Sequence, residues 1–396
     1  MNCTRVCARW MAEMERHAFA EQILPTWRRA VLKVGSSLLS DGAGELSDRH
    51  ARALAAFVMA SRAAGRDVVL VSSGAVAAGR ARVPTELHRS GGLVLRQALA
   101  ALGQTRMVGV WQGLLDVPAA QVLLSHDDLR NRRRYLNARN TLLELLRLGA
   151  VPIVNENDTV AVEELKLGDN DNLAAIVAAL VDADLLLIAS DVDGLYSAHP
   201  QRDPLARPID SVDAITPAVL AMAGDAGSAV GTGGMRTKLE AATKAANAGI
   251  ATVLFNGADA HAVALLAEGR FRGTHFAASG TRLAARKYWL RHAPGSGGRI
   301  RVDAGAARAV LGGASLLPGG IVGVDGEFAR GDIVEIAVIG VDAALAVARG
   351  LCQYAAGEVR RLAGRHTRDI EAVLGFSYGD SVIRRDDLVA LAEATA

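Results

Sequence analysis

Val151–Val181 reads VPIVNENDTVAVEELKLGDNDNLAAIVAALV, and the order of its parts decides the fold. VPIV has the length and branching of a buried strand, and Leu173–Val181 is an apolar run of helical length. Asn155, Glu156, Asn157 and Asp158 close the strand, while Asp169, Asn170, Asp171 and Asn172 open the helix. Amides and carboxylates at element ends ordinarily serve as Asx turns and helix caps, because their oxygens satisfy orphan N–H groups. Two such clusters bounding a single crossover point beyond capping, to a polar site.

The same alternation extends in both directions. Ala30–Val34, Asp67–Val71, the stretch near Ala120–Leu124, Leu185–Ala189 and Ala251–Phe255 read as strands. Helical periodicity runs over about Asp48–Ala64, Leu93–Leu102, Thr105–Leu114, Tyr135–Leu148 and Lys238–Ala248, with Gly65, Gly149 and Gly249 as stops. Alternating strands and helices predict an α/β fold, a mostly parallel sheet covered by helices on both faces. Ligands in such sheets bind at the carboxyl ends of the strands. The loops GSS after Val34, SSGA after Val71, NEND after Val154 and SDVDG after Ala189 all fall there.

Beyond about Gly280 the pattern changes. Residues 281–296 read as a linker, basic over Thr281–His292 and running into the linker-like APGSGG of Ala293–Gly298, and short β-type runs (GRIRV, GIVGV, DIVEIAVI, ALAVARGL, DSVIR) follow. They predict a small β-rich domain over 297–380, with 381–396 as a tail. The main domain is expected over 29–280, preceded by an N-terminal extension, 1–28. That extension mixes Arg5, Arg9 and Arg16 with Glu13, Glu15 and Glu21, so it is a poor signal peptide; Met11 and Met14 are alternative starts.

Composition narrows the function. A chain of 396 residues, 51% hydrophobic and 22% charged, has an ordinary globular make-up and room for more than one domain. A net charge of +2 gives no general attraction to nucleic acid or membrane surfaces. No apolar stretch reaches membrane-spanning length without a charge. Cys3, Cys7 and Cys352 form neither a disulfide framework nor a zinc spacing, which fits a reducing cytoplasm.

Lys33 sits inside an apolar strand just ahead of Gly35-Ser36-Ser37. It must either snorkel from a sheet edge or meet an anion, and the exposed N–H groups of the following turn favour an anion such as phosphate. Gly231–Lys238, GTGGMRTK, frees the backbone with glycines and opens a helix, whose N-terminus favours negative charge. It lacks the Walker A frame, and Arg236 breaks the dinucleotide fingerprint. Asp169–Asn172 fails the EF-hand pattern at Leu173. The run Arg130, Arg132, Arg133 and Arg134 reads as a solvated helix start or a subunit contact.

Paired lysines, glycine-rich loops and a central aspartate suggest phosphoryl transfer, which asks for positioning and charge neutralisation more than covalent help. Lys33 and Lys238 would approach the β/γ-phosphates from opposite sides, with Asp171 holding both ammonium groups. Mg²⁺ would ride on the nucleotide phosphates and water. No strongly placed base is evident. A carboxylate acceptor needs none, being ionised at neutral pH (ordinary pKa about 4.3 for Glu).

The set KVGSS, VSSGAVAAG, VNENDTV, KLGDNDN, SDVDGLY and GTGGMRTK resembles the glutamate 5-kinase family of the amino-acid kinase superfamily, over about 29–380. The trailing domain is similar to PUA domains. The resemblance implies the three-layer αβα sandwich of that superfamily and ATP-dependent phosphorylation of the L-glutamate side chain, the first step of proline synthesis. By motif it implies Lys33, Asp171 and Lys238 as catalytic groups. Ser73, Asn155, Asp158 and Asn170 would bind glutamate. Lys33, Ser190, Asp191, Thr232, Gly233, Gly234, Met235, Arg236, Thr237 and Lys238 would contact ATP. Feedback inhibition by proline and a dimeric or tetrameric assembly are implied as well. SDVDG departs from the commoner TD-type start of the nucleotide loop. Two other readings stand beside this one: a superfamily kinase acting on acetylglutamate, aspartate, carbamate or a nucleoside monophosphate, and an RNA-binding protein acting through the PUA-like domain.

Overall fold

The computed structural model describes residues 18–41, 45–84, 92–160, 170–223, 234–280, 290, 298–339 and 346–391. Two compact units emerge: one holds residues up to 130 and 138–280, the other 131–137 and 281–396.

The first unit runs β1 (Glu21–Ile23), β2 (Arg29–Val34), α1 (Ala51–Ala63), β3 (Asp67–Ser72), α2 (Ala75–Arg80), α3 (Leu93–Leu114) and β4 (Ala119–Leu124). It continues with most of α4 (Arg132–Arg147), then β5 (Val151–Glu156), α5 (Asn170–Leu180), β6 (Leu185–Ser190) and β7 (Ser211–Val212). It closes with α6 (Met235–Asn247), β8 (Ala251–Asn256), α7 (Ala260–Ala267), β9 (Arg270–Arg272) and β10 (Thr274–Phe276). The main sheet has the order β4-β5-β3-β2-β6-β8-β10-β7. From β4 to β8 every pairing is parallel, and β10 joins β8 antiparallel. This is the α/β sandwich the alternation predicts.

Because successive strand residues face opposite sides, the sheet sorts its side chains into two layers. Ala30, Leu32 and Val34 join one core with α1, α3 and α7, through Leu54, Phe57, Val58, Met107, Trp111, Val263 and Leu266. Val31 and Lys33 face the other layer, where α5 packs on β2, β3, β5 and β6. β2 is central, with Lys33 in register between Val71 and Ile188. The edge-strand alternative for Lys33 is therefore excluded.

Two differences from the sequence reading have clear causes. Leu93–Leu114 forms one helix, not two, and its interior Gly103 is where α2 crosses closest. A Cβ on Gly103 would lie 1.9 Å from the Ala75 carbonyl oxygen, and one on Gly79 would lie 1.8 Å from that of Leu99. The glycine that falls between the two expected segments lets another helix approach. The second difference is at the N-terminus, where part of the extension is integral: β1 pairs antiparallel with β9, and Phe19, Leu24 and Trp27 are buried.

The second unit contains β11 (Arg299–Val302), α8 (Ala304–Leu311), β12 (Ile321–Asp325), β13 (Ile333–Val338), β14 (Ala346–Leu351), α9 (Ala356–Leu362), α10 (Ile370–Leu374) and β15 (Leu388–Ala390). Its sheet order is β12-β11-β13-β14-β15, with β11 and β13 parallel and the other pairs antiparallel. The stretch read as a tail supplies β15, and DSVIR makes only an isolated bridge, Ile383 to Leu316. Cys352 is a free cysteine in this core, where burial pushes its thiol up to about 12. Cys3, Cys7 and most of the 281–296 linker lie outside the described residues. No described helix is long and apolar enough to cross a membrane.

Candidate active site

The carboxyl ends of β2, β3, β5, β6 and β8 share one edge of the sheet because the strands run parallel. Above them α5 and α6 pack on each other. Both buried faces are lined with small residues: Ala174, Ala175 and Ala178 on α5, and Ala241, Ala242, Ala245 and Ala246 on α6. Small side chains bring the axes close, so the first turns carrying Asp171 and Lys238 meet above β2.

There Lys33 Nζ lies 2.5 Å from Asp171 Oδ1, and Lys238 Nζ lies 3.2 Å from Asp171 Oδ2. The side chains of Lys33, Asp171 and Lys238 are 5%, 0% and 7% exposed. Thr237 Oγ1 lies 3.0 Å from Asp171 Oδ2 and 2.9 Å from the Gly234 carbonyl oxygen, so its one proton is shared between these two acceptors. Both ammonium groups share this carboxylate, so the three side chains together carry one net positive charge in a buried setting. Isolated buried charge is strongly unfavourable, and such a cluster suits a polyanion that reaches it from the strand ends. The N-terminus of the thirteen-residue α6 adds its dipole in the same sense.

A neutral network starts from the neighbouring residue. Asn170 Nδ2 donates to Ser73 Oγ at 2.8 Å and to Asn155 Oδ1 at 2.9 Å. Asn155 Nδ2 in turn donates to Gln104 Oε1 at 2.9 Å. Ser73 is held at the turn out of β3, where Gly74 takes φ +105° to start α2. Asp158 lines a cavity of about 220 Å³ together with Gln104, Thr105, Gln121, Glu156 and Asn157.

The remaining expected positions are more dispersed. Ser190 is buried at the end of β6, where Gly35 N–H donates to the Ala189 carbonyl across the sheet at 3.3 Å. Asp191 is exposed, and Ser190 Oγ donates to its carboxylate at 3.2 Å. Tyr196 of the same loop has its hydroxyl pushed up to about 12 by burial and by the Asp193 carboxylate, to which it donates. Gly234 caps α6, Met235 begins it, and Arg236 turns outward onto Glu240. Thr232, Gly233 and Asp169 lie outside the described residues. Sequence reasoning missed Gln104, which sits beside Thr105 and Arg106 in a helix with no motif to mark it.

The Amino acid kinase family profile matches residues 28–256, and that of the PUA domain matches residues 298–374. Glutamate 5-kinase of Xanthomonas oryzae pv. oryzae is 64% identical over 362 residues, covering 91% of this chain and all of its own length. Glutamate 5-kinase of Xylella fastidiosa is 60% identical over 375 residues, covering 94% of this chain and 98% of its own. Among solved structures, UMP kinase from Bacillus anthracis aligns with a TM-score of 0.45 at 15% identity, covering 63% of this chain and 96% of that one.

Proposed function

The chain belongs to the amino acid kinase family, and from that premise we propose that it phosphorylates the side-chain carboxylate of L-glutamate with ATP, giving L-glutamyl 5-phosphate, the first step of proline synthesis. The observation that carries the reading is the buried sharing of Asp171 by Lys33 and Lys238 at the strand ends. In this reading both ammonium groups hold the β- and γ-phosphate oxygens of ATP. They neutralise charge as it shifts from the γ-phosphoryl group towards the leaving oxygen. Asp171 keeps the two lysines at fixed separation, and Thr237 keeps Asp171 in its rotamer. The γ-carboxylate of glutamate attacks already ionised, so no general base is required.

Asn170, Ser73 and Asn155 orient the acceptor, and Asp158 receives its ammonium group. Ser190, Asp191 and the start of α6 flank the nucleotide; Thr232 and Gly233 are assigned to it by motif alone. Mg²⁺, a hard cation that keeps much of its water, belongs in this reading on the phosphate oxygens, where it offsets their charge. The reading also includes feedback inhibition by proline, a homo-oligomer and a cytoplasmic location.

The test offers purified protein ATP and Mg²⁺ with glutamate, aspartate, acetylglutamate or a nucleoside monophosphate. Glutamate should give the highest kcat/KM, and Lys238→Met should lower kcat by about 10²–10³-fold with the fold intact. Preference for another acceptor, or a Lys238→Met enzyme of normal kcat, overturns the reading.

A further inference from the structure

We propose that Gln104 is a specificity-determining contact of this site: its Nε2 donates to the α-carboxylate of the bound amino acid, at the end of the substrate remote from the lysines. The inference rests on the glutamate reading above and adds to it the residue that recognises the backbone end of the acceptor.

Gln104 is only 7% exposed, yet among the described residues its Nε2 has no hydrogen-bond partner. A buried polar group is normally satisfied, so a donor left over in a rigid site needs an explanation. The orientation of the amide follows from its neighbours. Asn170 spends its Nδ2 on Ser73 and on Asn155 Oδ1, so Asn155 turns its own Nδ2 outward to Gln104 Oε1. Each amide along the row passes its oxygen inward and its nitrogen outward. The last nitrogen belongs to Gln104, which lines the 220 Å³ cavity.

That cavity has room for a small amino acid, and its lining sets carboxylates and amides beside Ala100, Ala101 and Leu123, which suits the charged end and the methylene stem of one. Asp158 and Glu156 supply negative charge for an ammonium group. Those same carboxylates would repel an α-carboxylate unless a donor stood beside it, and Gln104 Nε2 supplies that donor. A neutral amide does so without neutralising the carboxylate that holds the ammonium. The backbone beneath it is fixed, because Gly103 sits against Ala75 and Gly79 with no space for a side chain.

The test compares L-glutamate with its α-amide, isoglutamine, which keeps the ammonium and the γ-carboxylate. Wild-type enzyme should prefer glutamate. In Gln104→Leu the ratio of kcat/KM values, glutamate over α-amide, should fall by about 10–100-fold, the usual range for losing a hydrogen bond to a charged group. In Gln104→Glu the preference should invert, because a carboxylate there accepts from the amide and repels the acid. KM for ATP should not move in either variant. A purely structural role would lower both substrates alike and leave the ratio unchanged; that result in a folded Gln104→Leu or Gln104→Glu overturns the proposal. Wild-type enzyme inert towards glutamate would instead refute the functional reading, so the two failures are distinguishable.

Discussion

Asp171 and Asn170 are adjacent on the first turn of one helix, yet they face opposite kinds of chemistry. Asp171 is sealed between ammonium groups, and its worth depends on charge in a region of low dielectric. Asn170 holds a hydroxyl and a second amide, and its network carries no net charge. The difference separates two tasks that phosphoryl transfer to a carboxylate imposes. The donor side must neutralise charge that moves during the reaction. The acceptor side must fix the orientation of a substrate whose charge is already set. A helix start places the two within one turn, which joins the sites without mixing their electrostatics.

Asp171→Asn is the harshest way to break this contrast. It keeps the shape and removes the counter-charge, leaving both lysines buried with like charge. Removing one partner of a buried ion pair typically costs about 3–5 kcal/mol, a large share of an ordinary domain's stability. We expect a lower denaturant midpoint together with a fall in kcat of about 10²-fold or more. Phosphate or ATP should raise the Tm of the variant more than that of the wild type, because an anion replaces the missing charge. Wild-type stability in Asp171→Asn would mean that the lysines are neutralised elsewhere, and the charged side of the comparison would fail.

Asn170→Ala probes the neutral side and should be milder. Losing hydrogen bonds between neutral groups costs about 1–2 kcal/mol here, so KM for glutamate should rise about 10-fold. kcat should stay within a few-fold and KM for ATP should be unchanged, as expected for a contact made equally in ground and transition states. A fall in kcat with KM intact would show that Asn170 acts on the moving charge after all, and the division between the two neighbours would dissolve.

Much of this arrangement can be read in the sequence, for physical reasons. The apolar strand runs and their polar exits specify a parallel sheet with its loops on one edge. Lys33 stands out because a lysine amid Val, Leu and Val must reach a sheet edge or meet an anion, and the central place of β2 leaves the anion. The opening of α5 is legible because carboxylates and amides crowd a helix start. Other features depend on tertiary packing that leaves no local mark. Gly103 falls between two segments read as separate helices, and only the crossing of α2 makes it a contact point. Gln104 looks like an ordinary helical residue until Asn155 orients it. β15 is short and lacks alternation, so only its pairing with β14 identifies it. The N-terminal residues Phe19, Leu24 and Trp27 show no period in the sequence, and their burial comes from distant partners, Tyr196 against Phe19 and Phe57 against Trp27.

Arg236 supplies the finest test of what burial contributes. It lies in the same helical turn as Lys238 and carries the same charge, but its side chain is 72% exposed and pairs with Glu240 at 3.3 Å. Exposed pairs of this spacing contribute about 0.5 kcal/mol or less, because water and salt screen them. Arg236→Ala should therefore shift the denaturant midpoint only slightly and leave kcat and KM for ATP within about twofold. Lys238→Met and Arg236→Ala then compare like charges within one helical turn that differ in their access to water. A loss in Arg236→Ala approaching that of Lys238→Met would mean that the arginine swings inward onto the nucleotide during turnover. Position along the helix, not exclusion of water, would then decide which charges matter.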